Sequence, residues 1–276
     1  MTDSERLQAR EKALAKQRKK FIKSIILGVT GFIVFLGIWT FAAHFELIDR
    51  RLIATPLEVV RALITKTYDV RPDGALLFQH IWSSLLIATS GFGLAVIIGV
   101  PLGLLMGWYK PIDRFLGPIF EILRPLPPIA WIPFTIIFLG IGLLAQSTIV
   151  FLSAFVASLI NSYTGIKLTN PVYINVAKTC GAPNWRIFLR VGIPSALPMV
   201  FAGMRISLGN SWSTLVAAEM LAASRGLGYM ILMGRTFFRI DLIIGGMIMI
   251  GALGLLFTTA FEAMERRILK WRSINK

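Results

Sequence analysis

Four stretches of this sequence contain no aspartate, glutamate, lysine or arginine over at least 19 consecutive residues: 25–43, 74–109, 125–166 and 242–261. A fifth stretch, 192–223, is interrupted only by Arg205 and Glu219. A helix of about 20 apolar residues is long enough to cross the hydrocarbon core of a bilayer. Together with a hydrophobic content of 55%, these stretches predict a protein that crosses a membrane several times.

The third stretch is too long for a single crossing. As one helix, 125–166 would measure roughly 63 Å at 1.5 Å per residue, which is about twice the bilayer core. Gly140 and Gly142 mark the turn at which we expect it to fold back. Because backbone groups inside lipid must be paired within each segment, we predict an all-α fold with six transmembrane helices, at about 21–43, 80–107, 127–141, 145–166, 195–222 and 241–262.

Basic residues set the predicted orientation. The six spans place 20 of the 29 lysine and arginine residues on the side that holds both termini. Since cytoplasmic loops are enriched in these residues, we predict cytoplasmic termini in the inner membrane of a bacterium. The net charge of +15 is then explained by topology, and no nucleic-acid partner is expected.

The predicted domains are a basic tail over 1–20 and a transmembrane domain over 21–276 with its core at about 80–265. We expect the first span to be retained, because it is longer than the apolar part of a signal peptide and lacks a clear cleavage site. The tail is expected either to lie on anionic headgroups or to remain solvated.

The sequence lacks the motifs of soluble catalysis. It has no G-x-x-x-x-G-K-[ST], G-x-S-x-G, H-E-x-x-H or C-x-x-C pattern. One cysteine and two histidines give no metal-ligand spacing. We therefore predict no catalytic residue, no metal and no cofactor, and any ATP that drives this protein must be bound by a partner chain.

Charged and polar residues inside the spans are the candidates for function. Arg205 could face a transported solute or could tie its helix to a neighbour, and Glu219 is expected in water at the outer end of its span. Small polar residues could line a path for an anion or hold helices together; they are Asn210, Ser211, Ser213 and Thr214. So few carboxylates argue against a carrier driven by an ion gradient, and no cluster of His, Asp or Glu indicates a membrane enzyme.

The polar loop at about 170–194 has an internal order that a plain connection would not need. Residues 173–180 favour a helix, Gly181 suits a helix C-cap with positive φ, and 185–191 form a second amphipathic helix. This second helix leaves four apolar residues exposed unless something covers them, namely Trp185, Ile187, Phe188 and Val191. Such an elbow is typical of an element that docks into a partner's groove, although it could instead lie on lipid.

Three local patterns predict structure around these spans. Thr55 and Glu58 form a capping box at the start of a helix. The segment 109–128 is expected in the cytoplasm with its apolar residues at helical spacing, and the prolines in 125–128 stop that helix and fix the angle of the third span. Four glycines are expected at points of close helix packing: Gly99, Gly103, Gly107 and Gly203.

The polar loop resembles a known signature. Ala177, Gly181 and the Val191-x-Ile193-Pro194 ending are similar to the "EAA" loop of bacterial ABC-importer permeases, although Asn175 and Val176 stand where that motif has its Glu and first Ala. Four further segments resemble the nitrate, sulfonate, taurine and bicarbonate branch of this family: 99–107 (GVPLGLLMG), 123–131 (LRPLPPIAW), 161–165 (NSYTG) and 212–228 (WSTLVAAEMLAASRGLG). The resemblance covers roughly 50–270.

The resemblance implies a type I ABC-importer permease fold without bond chemistry of its own. The expected partners are a second permease copy, forming a homodimer or a pair with a close relative, two cytoplasmic ATPase subunits, a periplasmic or lipid-anchored binding protein, and membrane lipid. It implies that the loop couples to the ATPase through Asn175, Ala177, Lys178, Gly181, Ala182, Trp185 and Arg186. Taurine or another sulfonate is the first expected substrate, followed by nitrate or bicarbonate.

Overall fold

The computed structural model describes residues 3–45 and 53–269, without the side chains of 3–21, 24 and 25. Every regular element in these two ranges is helical. The α-helices are α1 (Asp3–His44), α2 (Pro56–Thr65), α3 (Leu77–Trp108), α4 (Lys110–Leu123), α5 (Ile132–Leu139), α6 (Leu143–Lys167), α7 (Pro171–Thr179), α8 (Asn184–Ile187), α9 (Ile193–Ala222), α10 (Leu227–Thr236) and α11 (Ile240–Ile268). A 3₁₀ turn, Pro128–Trp131, precedes α5, and a π turn, Phe188–Gly192, joins α8 to α9.

The chain divides into two units, 1–62 and 63–276. In the first, α1 begins at Asp3, so the described part of the basic tail continues the first span as one helix. The predicted capping box is confirmed, because the Thr55 N–H donates to Glu58 Oε2 at 2.8 Å and the Glu58 N–H donates to Thr55 Oγ1 at 3.3 Å. Residues 1 and 2 of the predicted tail, and the C-terminal residues 270–276, lie outside the described ranges.

The second unit is built on α3, α6 and α9. Helices α3 and α6 run parallel: successive glycines along α3 contact successively later residues of α6. A Cβ placed on Gly91 would lie 2.7 Å from the Ser147 carbonyl oxygen, and one on Gly99 would lie 3.1 Å from the Phe155 ring. Gly103 and Gly107, one and two turns further along α3, also lie against α6, so their predicted close packing is confirmed.

Helix α9 packs antiparallel against an adjacent face of α6 and also contacts α3. Gly165 meets Ala196 and Met199 near one end, and Gly203 meets Asn161 further along, as predicted for Gly203. Ser158 Oγ and Ser207 Oγ lie 2.7 Å apart between the two helices. Such hydroxyl contacts, with small residues beside them, hold helices together where lipid provides little hydrophobic driving force.

Within the described ranges, five helices are long and apolar enough to cross a membrane, and a sixth crossing requires the bent pair α4 and Pro128–Leu139, which meet at 86°. The predicted third span, 127–141, is therefore incomplete: its helical part has only 12 residues, or about 20 Å, at the rises of these helices. Helix α4 lies along α6, where the Phe120 and Phe155 rings meet edge to face and the Tyr163 hydroxyl donates to Asp113 Oδ2. The helical spacing predicted within 109–128 is confirmed by α4, which ends at the proline run.

The polar loop and a cavity between helices

The first arm of the polar loop is α7 with a well-formed cap at each end. The Asn170 side chain accepts a hydrogen bond from the Val172 N–H at 2.9 Å and closes the N-terminus. At the other end Gly181 has φ +75°, which confirms the predicted left-handed residue. Its N–H donates to the Lys178 carbonyl, and the next N–H, of Ala182, donates to Ala177. The elbow is therefore fixed by backbone hydrogen bonds.

The second arm differs from the predicted separate helix over 185–191. It consists of α8 and the π turn, and it continues into α9 as one helical run, Asn184–Ala222. Ile187 and Phe188 are buried. The Phe188 ring packs 5.5 Å from Trp108 and 5.7 Å from Tyr109 between centroids, so the junction of α3 and α4 covers Phe188. Two of the four apolar residues that were predicted to need a partner are therefore covered within the chain itself.

The remaining surface of the loop combines apolar and basic side chains. Val172, Tyr173, Val176 and Trp185 are all more than half exposed. Lys178 and Arg186 are exposed beside them, and the Arg186 guanidinium lies 5.5 Å from the centre of the Trp185 ring. Of the other predicted coupling residues, Asn175 and Gly181 are exposed, whereas Ala177 and Ala182 are half-buried.

A cavity of about 490 Å³ opens between α6, α9 and the break after α4. It brings together three of the polar residues predicted on α9, and adds others from α6 and from the break. Ser153 Oγ and Thr214 Oγ1 lie 2.8 Å apart across it. Its polar lining consists of Arg124, Ser153, Asn161, Asn210, Ser213 and Thr214.

The two other residues predicted for a path on α9 lie elsewhere. Ser211 is buried and its hydroxyl donates to the Ser207 carbonyl at 2.8 Å. The Arg205 guanidinium pairs with the Glu265 carboxylate and lies 3.8 Å from Glu262 Oε1. Of the two roles considered for Arg205, this geometry matches the tie between neighbouring helices. Glu262 and Glu265 follow the last apolar stretch of the sequence. Their pairing with Arg205 could not be predicted, because Arg205 and Glu265 are 60 residues apart in the chain.

Glu219 is completely buried, so the prediction that water surrounds it was wrong. Its Oε1 accepts a hydrogen bond from Ser84 at 2.6 Å, and its Oε2 accepts one from the Gly228 N–H at 2.8 Å. The chain folds back after α9, and this turn places Gly226 and Gly228 directly over the carboxylate. Ser84 also accepts a hydrogen bond from the Leu227 N–H.

A second buried polar cluster beside this turn was missed from the sequence. The Lys66 ammonium pairs with Asp73 Oδ1, and Asp73 Oδ2 lies 3.2 Å from His80 Nε2. The Gly226 N–H donates to His80 Nδ1 at 3.1 Å. Burial alone raises the pKa of Asp73, but the contacts with His80 and Lys66 outweigh it and hold that pKa below its ordinary value of 3.8. No sequence pattern signals this cluster, because the loop 66–76 brings it together.

Residues 99–273 match the family described as binding-protein-dependent transport system inner membrane component. The chain belongs to this family. It is therefore a multi-pass inner-membrane permease subunit of an ABC importer, which is not itself catalytic and binds no cofactor. An importer of this kind works with ATPase and binding-protein partners.

Individual relatives agree over nearly the whole chain. The chain is 32% identical to the taurine transport system permease protein TauC of Escherichia coli K12 over 93% of both chains. It is 30% identical to the bicarbonate transport system permease protein CmpB of Synechococcus elongatus over 97% of this chain and 98% of that one. A chain of the MetNI methionine ABC transporter, 22% identical, superposes with a TM-score of 0.58 over 70% of this chain and 95% of its own, and confirms the helical permease fold.

Proposed function

We propose that this chain is the membrane-spanning subunit of an ATP-driven importer for a small oxyanion, with taurine or another sulfonate as the first candidate substrate. The observation that carries this proposal is the family match together with an elbow loop whose exposed face is apolar and basic. Nitrate and bicarbonate are the next candidates, since relatives named for taurine and bicarbonate transport are similarly distant.

The exposed face of the loop is the proposed docking site for the ATPase subunit. Its turn is held by two backbone hydrogen bonds, so it can transmit a force without first refolding. Val172, Val176 and Trp185 offer apolar surface, and Lys178 and Arg186 surround it with positive charge. A partner groove with an apolar floor and an acidic rim would match this surface.

The proposed orientation places this loop and both termini in the cytoplasm. The ends of α6 and α11 that lie on the loop side carry Lys167, Arg266 and Arg267, as expected for the cytoplasmic side. The buried turn around Gly226 and Gly228 then faces the periplasm, where a binding protein would release substrate.

The cavity beside α9 is the proposed half of a translocation path. Helix α4, the 3₁₀ turn and α5 beside this cavity leave much of their surface exposed. A second copy of the chain, related by a two-fold axis, would close the cavity with an identical lining. We therefore propose a homodimer that holds the path between its subunits.

The proposal is tested by purifying the chain from its native membrane and identifying the subunits that co-purify. We expect an ATPase and a binding protein, and ATP-dependent uptake of taurine by the reconstituted complex. Uptake of nitrate or bicarbonate in place of taurine would correct the substrate and keep the importer. A stable chain that binds no ATPase and transports with an ion gradient alone would overturn the proposal.

A further inference from the structure

Arg124 lies level with the middle of α6, in a segment that the sequence predicts to be cytoplasmic. Helix α4 runs antiparallel to α6, so Asp113 meets Tyr163 and Lys167 near one end of α6. About two turns further along α4, Phe120 meets Phe155 of α6. Arg124 then reaches the cavity at the level of 153–161, near the middle of α6, which spans Leu143–Lys167.

The proline run accounts for this placement. Arg124 is the C-cap of α4, and its N–H still donates to the Phe120 carbonyl at 2.9 Å. Proline has no N–H to continue the helix, and Pro125, Pro127 and Pro128 follow directly. The chain therefore turns by 86° at this point and leaves the last side chain of α4 beside the open space. A helix C-terminus also favours a positive charge without neutralising it.

Among the side chains that the structure describes, no carboxylate pairs with this guanidinium. Arg205, Arg239 and Lys66 each pair with an aspartate or glutamate. The polar side chains that line the cavity with Arg124 are amides and hydroxyls only. A neighbouring depression that Arg124 shares holds Asp113 and Glu121; Asp113 is engaged by Tyr163 and Lys167, and Glu121 is exposed and forms no ion pair with Arg124.

We propose that Arg124 is the residue that recognises the anionic group of the substrate in the translocation path. This inference rests on the proposed function and assigns the charge recognition to the helix break, in place of Arg205. A guanidinium presents a planar fork of N–H donors that matches two oxygens of a sulfonate, nitrate or bicarbonate. Asn161, Asn210 and Thr214 supply neutral hydrogen bonds around it.

The first test compares uptake by the complete reconstituted transporter with Arg124→Gln and Arg124→Lys permeases. Because hydrogen bonds to a charged group are among the stronger ones, we expect Arg124→Gln to reduce kcat/KM for anion uptake roughly 10- to 100-fold. Arg124→Lys keeps the charge but loses the fork and should fall between that variant and the native protein. The matched control is Arg114→Gln, on the same helix but outside the cavity lining, which should leave uptake unchanged.

A charge-rescue experiment separates recognition from a structural role. Arg124→Cys is made together with Cys180→Ser, since Cys180 is the only cysteine of the chain. A methanethiosulfonate reagent forms a mixed disulfide at position 124 and releases a sulfinate. We expect the aminoethyl reagent, which restores a positive charge, to recover uptake several-fold, and the neutral methyl reagent to leave it low.

The outcomes distinguish the two proposals. If the native transporter moves none of the tested anions, the proposed function fails. If the native transporter moves an anion and Arg124→Gln moves it with unchanged KM and kcat, only the Arg124 proposal fails. It also fails if Arg124→Gln no longer assembles with the ATPase subunits, or if both reagents restore uptake equally.

Discussion

Replacing Gly181 with valine should weaken the coupling of ATP hydrolysis to transport while leaving the permease in the membrane. Gly181 has φ +75°, and a Cβ added there would meet no heavy atom within 4 Å. A side chain added at position 181 therefore costs free energy only through the backbone conformation that it must adopt. For an L-residue in the left-handed region this cost is about 1–2 kcal/mol, and a β-branched residue resists it most.

The effect should be graded according to how well each residue accepts positive φ. A local cost of about 1–2 kcal/mol reduces the population of the observed elbow by roughly 5- to 30-fold relative to relaxed forms. Asparagine tolerates positive φ better than other residues, so Gly181→Asn should lose least, Gly181→Ala more and Gly181→Val most. ATP-dependent uptake and ATP hydrolysis, measured in the same proteoliposomes, give the transport stoichiometry for each variant.

Gly74 provides a matched control for this series. It has φ +81° and also meets nothing within 4 Å, but it lies in the loop before α3, at the opposite end of the bundle from Gly181. Gly74→Val should cost similar stability and leave the ratio of uptake to hydrolysis unchanged. If Gly181→Val transports with the native stoichiometry, or if Gly74→Val uncouples equally, the assignment of the elbow is refuted.

Three further predictions concern stability, measured by thermal unfolding of the solubilised complex. Gly103→Ala should destabilise the protein by about 1–3 kcal/mol, because its Cβ would clash with α6. Gly93→Ala, on the same helix, meets nothing within 4 Å and should be neutral or stabilising. Equal effects of the two substitutions would contradict the close packing of α3 on α6 at Gly103. Glu219→Ala should cost about 1–3 kcal/mol for each buried donor left without a partner, and Glu219→Gln less. Because the pKa of Asp73 is lowered in the fold, the contribution of its carboxylate to stability should be complete above pH 3.8 and be lost as the pH falls below that value. Asp73→Asn should remove this acid-dependent loss. Identical pH profiles of stability for the native protein and the variant would contradict this role of Asp73.

The sequence predicts best those features that depend on local chemistry. Apolar length alone predicted α3, α6, α9 and α11, because the bilayer thickness sets the required length. Most ends of these helices lie within a few residues of the predicted ones. The positive φ of Gly181 could be predicted because glycine is the residue that adopts it without strain. These inferences need no knowledge of which helices are neighbours.

Features that depend on tertiary contacts could not be obtained in this way. Lys66, Asp73 and His80 form one buried cluster only after the loop before α3 has folded against the turn at Gly226. Glu219 was expected in water for the same reason, since nothing near it in sequence indicates that the chain returns to cover it. The position of Arg124 beside the middle of α6 also depends on a tertiary contact, because the charge-free stretch begins only at Pro125 and nothing local shows which helix α4 packs against.

The two parts of the candidate site are connected by one element. The second arm of the loop and the α9 wall of the cavity belong to a single helical run from Asn184 to Ala222. Asn184 and Asn210 are 26 residues apart, or about 39 Å at 1.5 Å per residue. A displacement of the loop therefore moves the cavity wall through the backbone hydrogen bonds of that helix. The π turn at Phe188–Gly192, packed on Trp108, is the one irregular point in this run, so any bending between loop and cavity should be concentrated there.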